Sequence, residues 1–236
     1  MARRRVAVTG LGIVDPFGED TASFFSRILN GESAIRLLTL DDPAGRLELP
    51  VQQCRDFDPA RVLGRALAHT MDRFSHLGAA AAFAAWRDAG FSVEDDAGKT
   101  DRGVAWGTGA GGVTTFEHGY RTLYRSNQKS SGPLSVVLAM NNAAGAHIAI
   151  KLGLAGPCLT YSVACASSTG ASGEAGHAGR EGRASVMLAG GSEAPLAYGV
   201  LRAGSSAGAL FGGLLLEASG ILGANRCTRM VSTVLL

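Results

Sequence analysis

Short apolar segments alternate with segments of helical periodicity along this chain, and that alternation limits the folds it can adopt more than any other feature. Buried strands are predicted at residues 4–9, 102–106, 159–164 and 186–189. Helices are predicted at residues 21–30, 59–67, 71–89, 113–124 and 165–179. Strands that are apolar on both faces belong to parallel sheets covered by helices on both sides. The pattern therefore predicts an α/β fold.

The composition excludes several classes of protein. Hydrophobic residues make up 46% of the 236 residues and charged residues 18%, which is far from the composition of a disordered chain. The formal net charge of +2 is too small for a nucleic-acid-binding stripe or an electrostatic membrane anchor. A chain of this length buries a substantial core, as one large domain or two small ones.

The cysteines and the first residues predict the compartment. Cys54, Cys158, Cys165 and Cys227 form no CxxC pair, so neither a zinc site nor a redox motif is expected. The arginines at positions 3–5 precede an apolar run that breaks at Asp15 without a small-residue cleavage site, which indicates a first strand rather than a secretion signal. We expect a cytoplasmic protein with reduced thiols.

A glycine-rich loop follows the strand at residues 102–106. Gly107, Gly109 and Gly112 match G-x-G-x-x-G, but a dinucleotide site also needs an acidic residue about 20 positions further on. Residues 126–134 contain none, and no Gly-Lys-Ser/Thr follows the loop. We therefore expect a turn that allows close backbone approach, and no nucleotide cofactor.

Cys165 is the strongest candidate for chemistry. It lies where the strand at 159–164 meets a helix composed almost entirely of small residues. A thiol at a helix N-terminus faces free backbone N–H groups and the positive end of the helix dipole, and both favour the thiolate. This is the geometry of a nucleophile elbow, in which a backbone N–H can serve as oxyanion donor. Cysteine is also a common buried apolar residue, and spacing alone leaves that alternative open.

No histidine stands out as the partner of such a thiol. Acyl chemistry on a thiol normally uses a histidine to move protons, and the chain has five. They are His69, His76, His118, His147 and His177. None follows a strand in a small-residue setting, and His147, in an alanine-rich segment, is expected to be a satisfied core histidine. The sequence therefore indicates no residue for the general base that a complete mechanism requires.

Several segments together resemble a known family, the β-ketoacyl-acyl carrier protein synthases, which are the condensing enzymes of fatty acid and polyketide synthesis. Tyr161-Ser162-Val163-Ala164-Cys165-Ala166-Ser167-Ser168 resembles their nucleophile segment. Further similar segments occur in the family's order at residues 4–14, 71–74, 107–112, 141–150, 153–157 and 189–194. The similarity extends from about residue 4 to residue 203.

This resemblance implies the first half of a thiolase-like layered α/β/α fold, in a protein that usually forms a homodimer. It implies that the Cys165 thiolate takes an acyl group from the phosphopantetheine thioester of an acyl carrier protein, with the Cys165 N–H in the oxyanion hole. Malonyl-carrier protein then loses CO2 and attacks the acyl-enzyme to give a β-ketoacyl product. No metal or other cofactor is required.

The acidic carrier protein suggests a docking surface. Arg61, Arg65 and His69 are spaced i, i+4 and i+8, which would place them on one face of the helix predicted at residues 59–67. An ordinary solvated face is an equally good interpretation of the same spacing.

The chain also departs from the family. No segment resembles the motifs that carry the two histidines and the lysine that assist malonyl decarboxylation. Residues 1–203 are predicted to form the N-terminal domain, and residues 204–236 a divergent, aberrant tail. Half of this fold would expose a large apolar face. Two alternatives to a condensing enzyme stay open: an inactive fragment or subunit that dimerises or binds carrier protein, and a thiolase-like acyltransferase without a malonyl step.

Overall fold

The computed structural model describes residues 4–43, 45–92, 100–125 and 132–196, together with the backbone of residues 227–233. The elements in chain order are β1 (Arg5–Gly12), α1 (Thr21–Leu29), β2 (Arg36–Asp42), β3 (Gly45–Val51), α2 (Pro59–Leu63), α3 (Arg65–Ala68), α4 (Arg73–Asp88), β4 (Arg102–Gly107), α5 (Val113–Tyr124), α6 (Ser135–Ala139), α7 (Ala143–Leu152), β5 (Cys158–Tyr161), α8 (Ser167–Glu181), β6 (Val186–Gly191) and β7 (Cys227–Thr233). The residues predicted to be a divergent tail, 204–236, lie outside the described residues apart from β7.

Five strands form a parallel sheet in the order β1-β7-β6-β4-β5. Strands β2 and β3 form a separate antiparallel hairpin. All six residues of β6 are buried, as are the last five of β4, which explains why these strands are continuously apolar in the sequence. The predicted α/β fold is confirmed.

The two faces of the sheet carry side chains of very different size. On one face, α4 and α7 pack against large residues that include Trp106 and Leu188. On the other, α8 packs against Ala105, Met187 and Ala189. Apart from Ser167 in the first turn, the buried residues of α8 are alanines and glycines, so this helix can lie close to the strands. The small residues of 165–179 therefore determine how near the helix comes to the sheet.

Helix α8 covers only the middle of its face of the sheet. Leu159 is paired in register with Ala105 and so faces α8, yet it is 49% exposed. Leu11 of β1 points away from α4 and is 47% exposed. Exposed apolar side chains thus lie at both flanks of α8.

The helix predicted at residues 59–67 is interrupted, and that prediction was wrong. Gly64 adopts φ 82° and ψ 145°, which ends α2 and begins the four-residue α3. Glycine tolerates this conformation because it has no Cβ. Arg61, Arg65 and His69 therefore do not share one continuous helix face, although all three are exposed.

The strand predicted at residues 159–164 is also shorter than expected. It ends at Tyr161, and the following helix begins at Ser167 rather than at residue 165. A five-residue connection, residues 162–166, therefore separates strand from helix and contains Cys165.

Among the described residues, no helix combines the length and apolarity needed to cross a bilayer.

Candidate active site

Cys165 lies on an exposed elbow between β5 and α8. Residues 162–166 are all exposed. Ala164, immediately before the cysteine, has φ 48° and is the one non-glycine residue of the described chain with positive φ. Residues other than glycine adopt this left-handed conformation at a cost of about 1–2 kcal/mol. The strain of the elbow therefore falls on the residue immediately before the one that carries the thiol.

The first turn of α8 begins two residues after Cys165. Ala166 is the N-cap residue of α8, and no side chain caps the helix there. The Ser167 N–H donates to the Ala164 carbonyl at 3.2 Å, and the first bond of the helix runs from the Gly170 N–H to the Ala166 carbonyl. The prediction that Cys165 lies at a helix N-terminus is confirmed in position, with the helix beginning two residues later.

Glycines at the ends of β4 and β6 make room for this helix terminus. A Cβ on Gly107 would lie 2.4 Å from the carbonyl carbon of Ser167 and 2.5 Å from the nitrogen of Ser168. A Cβ on Gly191 would lie 2.8 Å from the Cβ of Ser168. The expectation that the glycine loop allows a close backbone approach is confirmed at Gly107, where the neighbour is the helix carrying the elbow.

A carboxylate that the sequence analysis assigned no role holds the rest of the glycine loop. Glu193 Oε2 accepts the Gly109 N–H at 2.6 Å and the Ala110 N–H at 3.0 Å. The Thr108 hydroxyl lies 3.4 Å from the same oxygen. Glu193 follows β6, and β4 leads into the loop, so the two meet where the carboxyl ends of neighbouring parallel strands lie side by side. That adjacency is the signal that would have predicted the contact.

The glycine loop also contacts the elbow. The Ser162 hydroxyl donates to the Gly109 carbonyl at 3.2 Å, and the position of a Gly109 Cβ would be 3.7 Å from the Ala164 Cα. Asn141, from the connection between α6 and α7, donates to the Ser162 oxygen at 3.4 Å. Glu193, the glycine loop and the elbow thus form one connected structure around Cys165.

The other described cysteines differ from Cys165. Burial raises the pKa of Cys54 to about 11, an effect that Arg73 partly offsets. Local burial also raises the pKa of Cys158, although the residue as a whole is exposed. At neutral pH both are therefore poorer nucleophiles than an ordinary thiol, and they provide internal references for the reactivity of Cys165.

The histidines contribute no base to the elbow in the described part of the chain. His69, His118 and His177 are exposed. His76 Nε2 donates to the Ala68 carbonyl at 2.7 Å, and His147 bonds to the backbone of Thr70. The expectation that His147 is a satisfied, packed histidine is confirmed, and no histidine hydrogen-bonds to residues 162–166.

We expect the His76–His147 pair to make folding pH-dependent. Burial lowers the pKa of both imidazoles. The positive charges of Arg73 and His147 lower the pKa of His76 further, against the opposing effects of the Ala68 carbonyl and Asp72. In His147, only the hydrogen bond to the Thr70 backbone opposes the effect of burial. Because the pKa is lower in the folded state, the unfolded chain binds more protons than the folded chain. The resulting stabilisation of the folded state is fully present above the unfolded-state pKa of about 6.5, and it is lost as the pH falls below that value. The urea midpoint should be lower at pH 5.5 than at pH 7.5. His76→Gln, which keeps a donor for Ala68, should reduce this difference, whereas exposed His177→Gln should not; equal differences in all three proteins would contradict the prediction.

One of the three candidate docking residues, His69, borders a separate cleft. Arg61 forms an ion pair with Glu19 at 2.6 Å. His69 lines a cleft of about 480 Å³ between the α3–α4 corner and α5–α6, whose other walls include Asp72, His118 and Leu138. His69 therefore lies at the rim of a concave surface, while Arg61 and Arg65 lie on the solvent side of α2 and α3.

No group of three or more His, Cys, Asp or Glu side chains within the described ranges is arranged to hold a metal ion. The chemistry that the described arrangement can perform is nucleophilic attack by a thiol next to helix amides.

Comparisons with known proteins identify relatives of this chain. Residues 3–213 match the family described as beta-ketoacyl synthase, N-terminal domain. The chain is 36% identical over 202 residues to nodulation protein E of Rhizobium leguminosarum bv. trifolii, covering 84% of this chain and 49% of that protein. It is 32% identical over 194 residues to 3-oxoacyl-acyl-carrier-protein synthase 2 of Coxiella burnetii, covering 82% and 46%. The chain thus spans about half the length of these curated relatives.

Solved structures agree with this relationship. A type II polyketide ketosynthase in complex with its acyl-carrier protein superposes with a TM-score of 0.71 at 25% identity, covering 85% of this chain and 54% of that one. The ishigamide ketosynthase/chain length factor shares the fold with a TM-score of 0.77 at 24% identity, over 90% and 53%. The layered α/β fold implied by the resemblance is confirmed, with this chain corresponding to its N-terminal half. The chain belongs to the β-ketoacyl synthase family.

Proposed function

We propose that Cys165 is the acyl-accepting nucleophile of a β-ketoacyl-acyl carrier protein synthase. The observation that carries the proposal is the exposed Cys165 on a strained elbow, directly before the uncapped N-terminus of α8. The thiolate attacks the carbonyl carbon of an acyl thioester, the oxyanion accepts hydrogen bonds from backbone N–H groups that include that of Cys165, and the carrier thiol leaves. The acyl chain is then held on Cys165 as a new thioester.

The second half-reaction is decarboxylative condensation. A malonyl thioester loses CO2, and the electron pair released attacks the carbonyl carbon of the acyl-enzyme. The β-ketoacyl thioester is formed, and the Cys165 thiolate is the leaving group. We place the groups that polarise the malonyl thioester outside the described residues, because no histidine of the described ranges bonds to the elbow and the curated relatives are about twice as long as the matched region.

The test is acylation of the purified chain. It is incubated at pH 7.5 with an acyl-pantetheine thioester or with cerulenin, an electrophile that mimics an acyl chain, and adducts are located by peptide mass spectrometry. We expect selective modification of Cys165 over Cys54, Cys158 and Cys227, and none at position 165 in Cys165→Ser. Equal modification of all four cysteines, or none, would support the alternative of an inactive subunit. Acylation of Cys165 followed by hydrolysis, with no condensation when malonyl thioester and the second half are supplied, would support the acyltransferase without a malonyl step.

We propose that an acyl carrier protein delivers the substrate by docking on Arg61, Arg65 and His69. One solved relative is a ketosynthase bound to its acyl-carrier protein. The three residues are exposed and Arg65 makes no ion pair within the described chain, so its charge is available to an acidic partner. When the acyl group is presented on carrier protein, Arg65→Glu should slow Cys165 acylation at low ionic strength. The same variant should react normally with free acyl-pantetheine; equal effects on both donors would contradict docking at this surface.

We also propose a homodimer. Phe116, Tyr120 and Tyr124 of α5 are spaced four residues apart and are 52%, 59% and 79% exposed, which makes an apolar row on one helix face. Beside it, α6 exposes Val136 at 71%. Light scattering should give twice the mass of one chain for the parent protein and the mass of one chain for Tyr120→Glu. A parent that remains monomeric at high micromolar concentration would contradict the proposal.

The cytoplasmic location expected from the sequence is likewise a proposal, which fractionation of producing cells tests.

A further inference from the structure

The elbow at Cys165 requires a residue that holds its backbone. Ala164 adopts φ 48°, a conformation in which an alanine is disfavoured and which persists only where surrounding contacts impose it. The elbow residues 162–166 are exposed, so close packing of their own side chains does not impose it. The restraint must come from hydrogen bonds to the backbone of the elbow.

Ser167 supplies two such hydrogen bonds with a single oxygen. Its Oγ accepts the N–H of Val163 at 2.8 Å and donates to the carbonyl oxygen of Ala164 at 2.7 Å. These two backbone groups lie on either side of the strained φ of Ala164. The residue is 3% exposed, so water does not compete for the hydroxyl. Together the two bonds fix the peptide group before Val163 and the peptide group after Ala164, and so restrain the short segment between them that contains the strained φ.

The position of that hydroxyl is in turn set by the sheet. The missing side chain of Gly107 lets β4 approach the backbone of Ser167 and Ser168 so closely that a Cβ there would lie within 2.5 Å of it. The Ser167 backbone is therefore confined by β4, and its Oγ is presented to the elbow from a rigid support. Ser167 therefore connects the end of β4 to Ala164, the residue preceding Cys165.

We propose that Ser167 is a positioning residue, which holds Ala164 in the left-handed conformation and thereby orients the Cys165 thiol toward an incoming thioester carbonyl. The proposal rests on the proposed function of Cys165. This role requires no contact of Ser167 with the substrate or with the thiol. It acts through the two hydrogen bonds to the elbow.

The experiment compares Ser167→Ala with the parent chain. Cys165 acylation by acyl-pantetheine, which needs a directed attack, and alkylation by iodoacetamide, which is less demanding, are measured side by side at several pH values. We expect acylation to fall about 10- to 100-fold, the range that a misplacement of up to about 1 Å produces, and alkylation to fall much less. Labelling of half-buried Cys54 in the same samples reports unfolding, and should stay at the parent level.

Two further variants separate positioning from general damage to the helix. Ser167→Thr keeps the oxygen and should retain most of the acylation rate. Ser172→Ala removes the same hydroxyl one turn and a half further along α8, where the side chain makes no hydrogen bond within the described residues, and should leave the rate unchanged. In an Ala164→Gly background, where positive φ carries little cost, Ser167→Ala should cause a smaller loss than in the parent.

The outcomes distinguish this inference from the function on which it rests. If Cys165 of the parent is not acylated selectively, the proposed function fails. If the parent is acylated selectively and Ser167→Ala reacts at the parent rate, or loses acylation and alkylation equally, the positioning role is overturned. The same holds if the loss is undiminished in the Ala164→Gly background.

Discussion

Gly107→Ala is expected to prevent the active-site elbow from forming. The new Cβ would lie 2.4 Å from the Ser167 carbonyl carbon and 2.5 Å from the Ser167 oxygen and the Ser168 nitrogen. All three are backbone atoms and cannot move aside by a change of rotamer. Helix α8 would have to move away from β4. Its packing against the sheet and the position of Ser167 would then both be lost. We expect a loss of at least about 3 kcal/mol in the free energy of unfolding, the upper end for overpacked cores.

The measurement is urea unfolding, together with the acylation rate of Cys165. Gly173→Ala in α8 is the matched control, because a Cβ there meets no atom within 4 Å. The control should be unchanged or more stable by about 0.5–1 kcal/mol, since alanine is the better helix former. If Gly107→Ala unfolds at the same urea concentration as Gly173→Ala and retains Cys165 acylation, the close approach of β4 to α8 is not a requirement of the site.

Asp72→Ala is expected to have the second largest effect, because this buried carboxylate caps two helices. Its Oδ1 accepts the Phe74 N–H at the start of α4, and its Oδ2 accepts the Thr115 N–H and the Thr114 hydroxyl in the first turn of α5. The Thr115 hydroxyl bonds to the same oxygen. Asp72 is 5% exposed, so its removal leaves one buried and three half-buried donor groups without an acceptor. We expect a loss of about 3–4 kcal/mol.

Asp58→Ala provides the comparison for a simple cap. Asp58 accepts one N–H, from Ala60, at the exposed start of α2, and its loss should cost about 1 kcal/mol. Thermal unfolding followed by circular dichroism would show a much larger drop in Tm for Asp72→Ala than for Asp58→Ala. Equal drops would mean that Asp72 acts as a single N-cap and does not join α4 to α5.

Gly107 and Gly64 differ in whether their structural role could be predicted from the sequence. Gly107 belongs to a loop that follows a strand, and a close backbone approach was predicted there because a nucleotide site lacked its acidic residue. Gly64 lies in a segment with helical spacing, and the break there was missed, because one glycine inside a helical pattern does not by itself indicate a break. The consequence was the wrong assignment of Arg61, Arg65 and His69 to a single helix face.

Glu193 and Ser167 show the corresponding limit for the site. Both were part of segments that resemble the family, yet neither had a predicted role. Glu193 binds amides 83 and 84 residues earlier in the chain, a contact that requires β4 and β6 to be neighbours in the sheet. Ser167 bonds within its own elbow, but its significance depends on the φ of Ala164, which side-chain types do not encode.

The sequence by itself determined the alternation of strands and helices, the location of Cys165 at a strand-to-helix junction and the membership of its segment in a recognisable family. These features depend on residue spacing over a few turns or a few strand positions, where the 3.6- and 2-residue periods act locally. The tertiary structure alone decided the strand order β1-β7-β6-β4-β5, the capping of two helices by Asp72 and the contact of Gly107 with the helix carrying the elbow. Those features arise because burial of the apolar strands brings distant segments together, and each buried polar group must then find its hydrogen-bond partner among them.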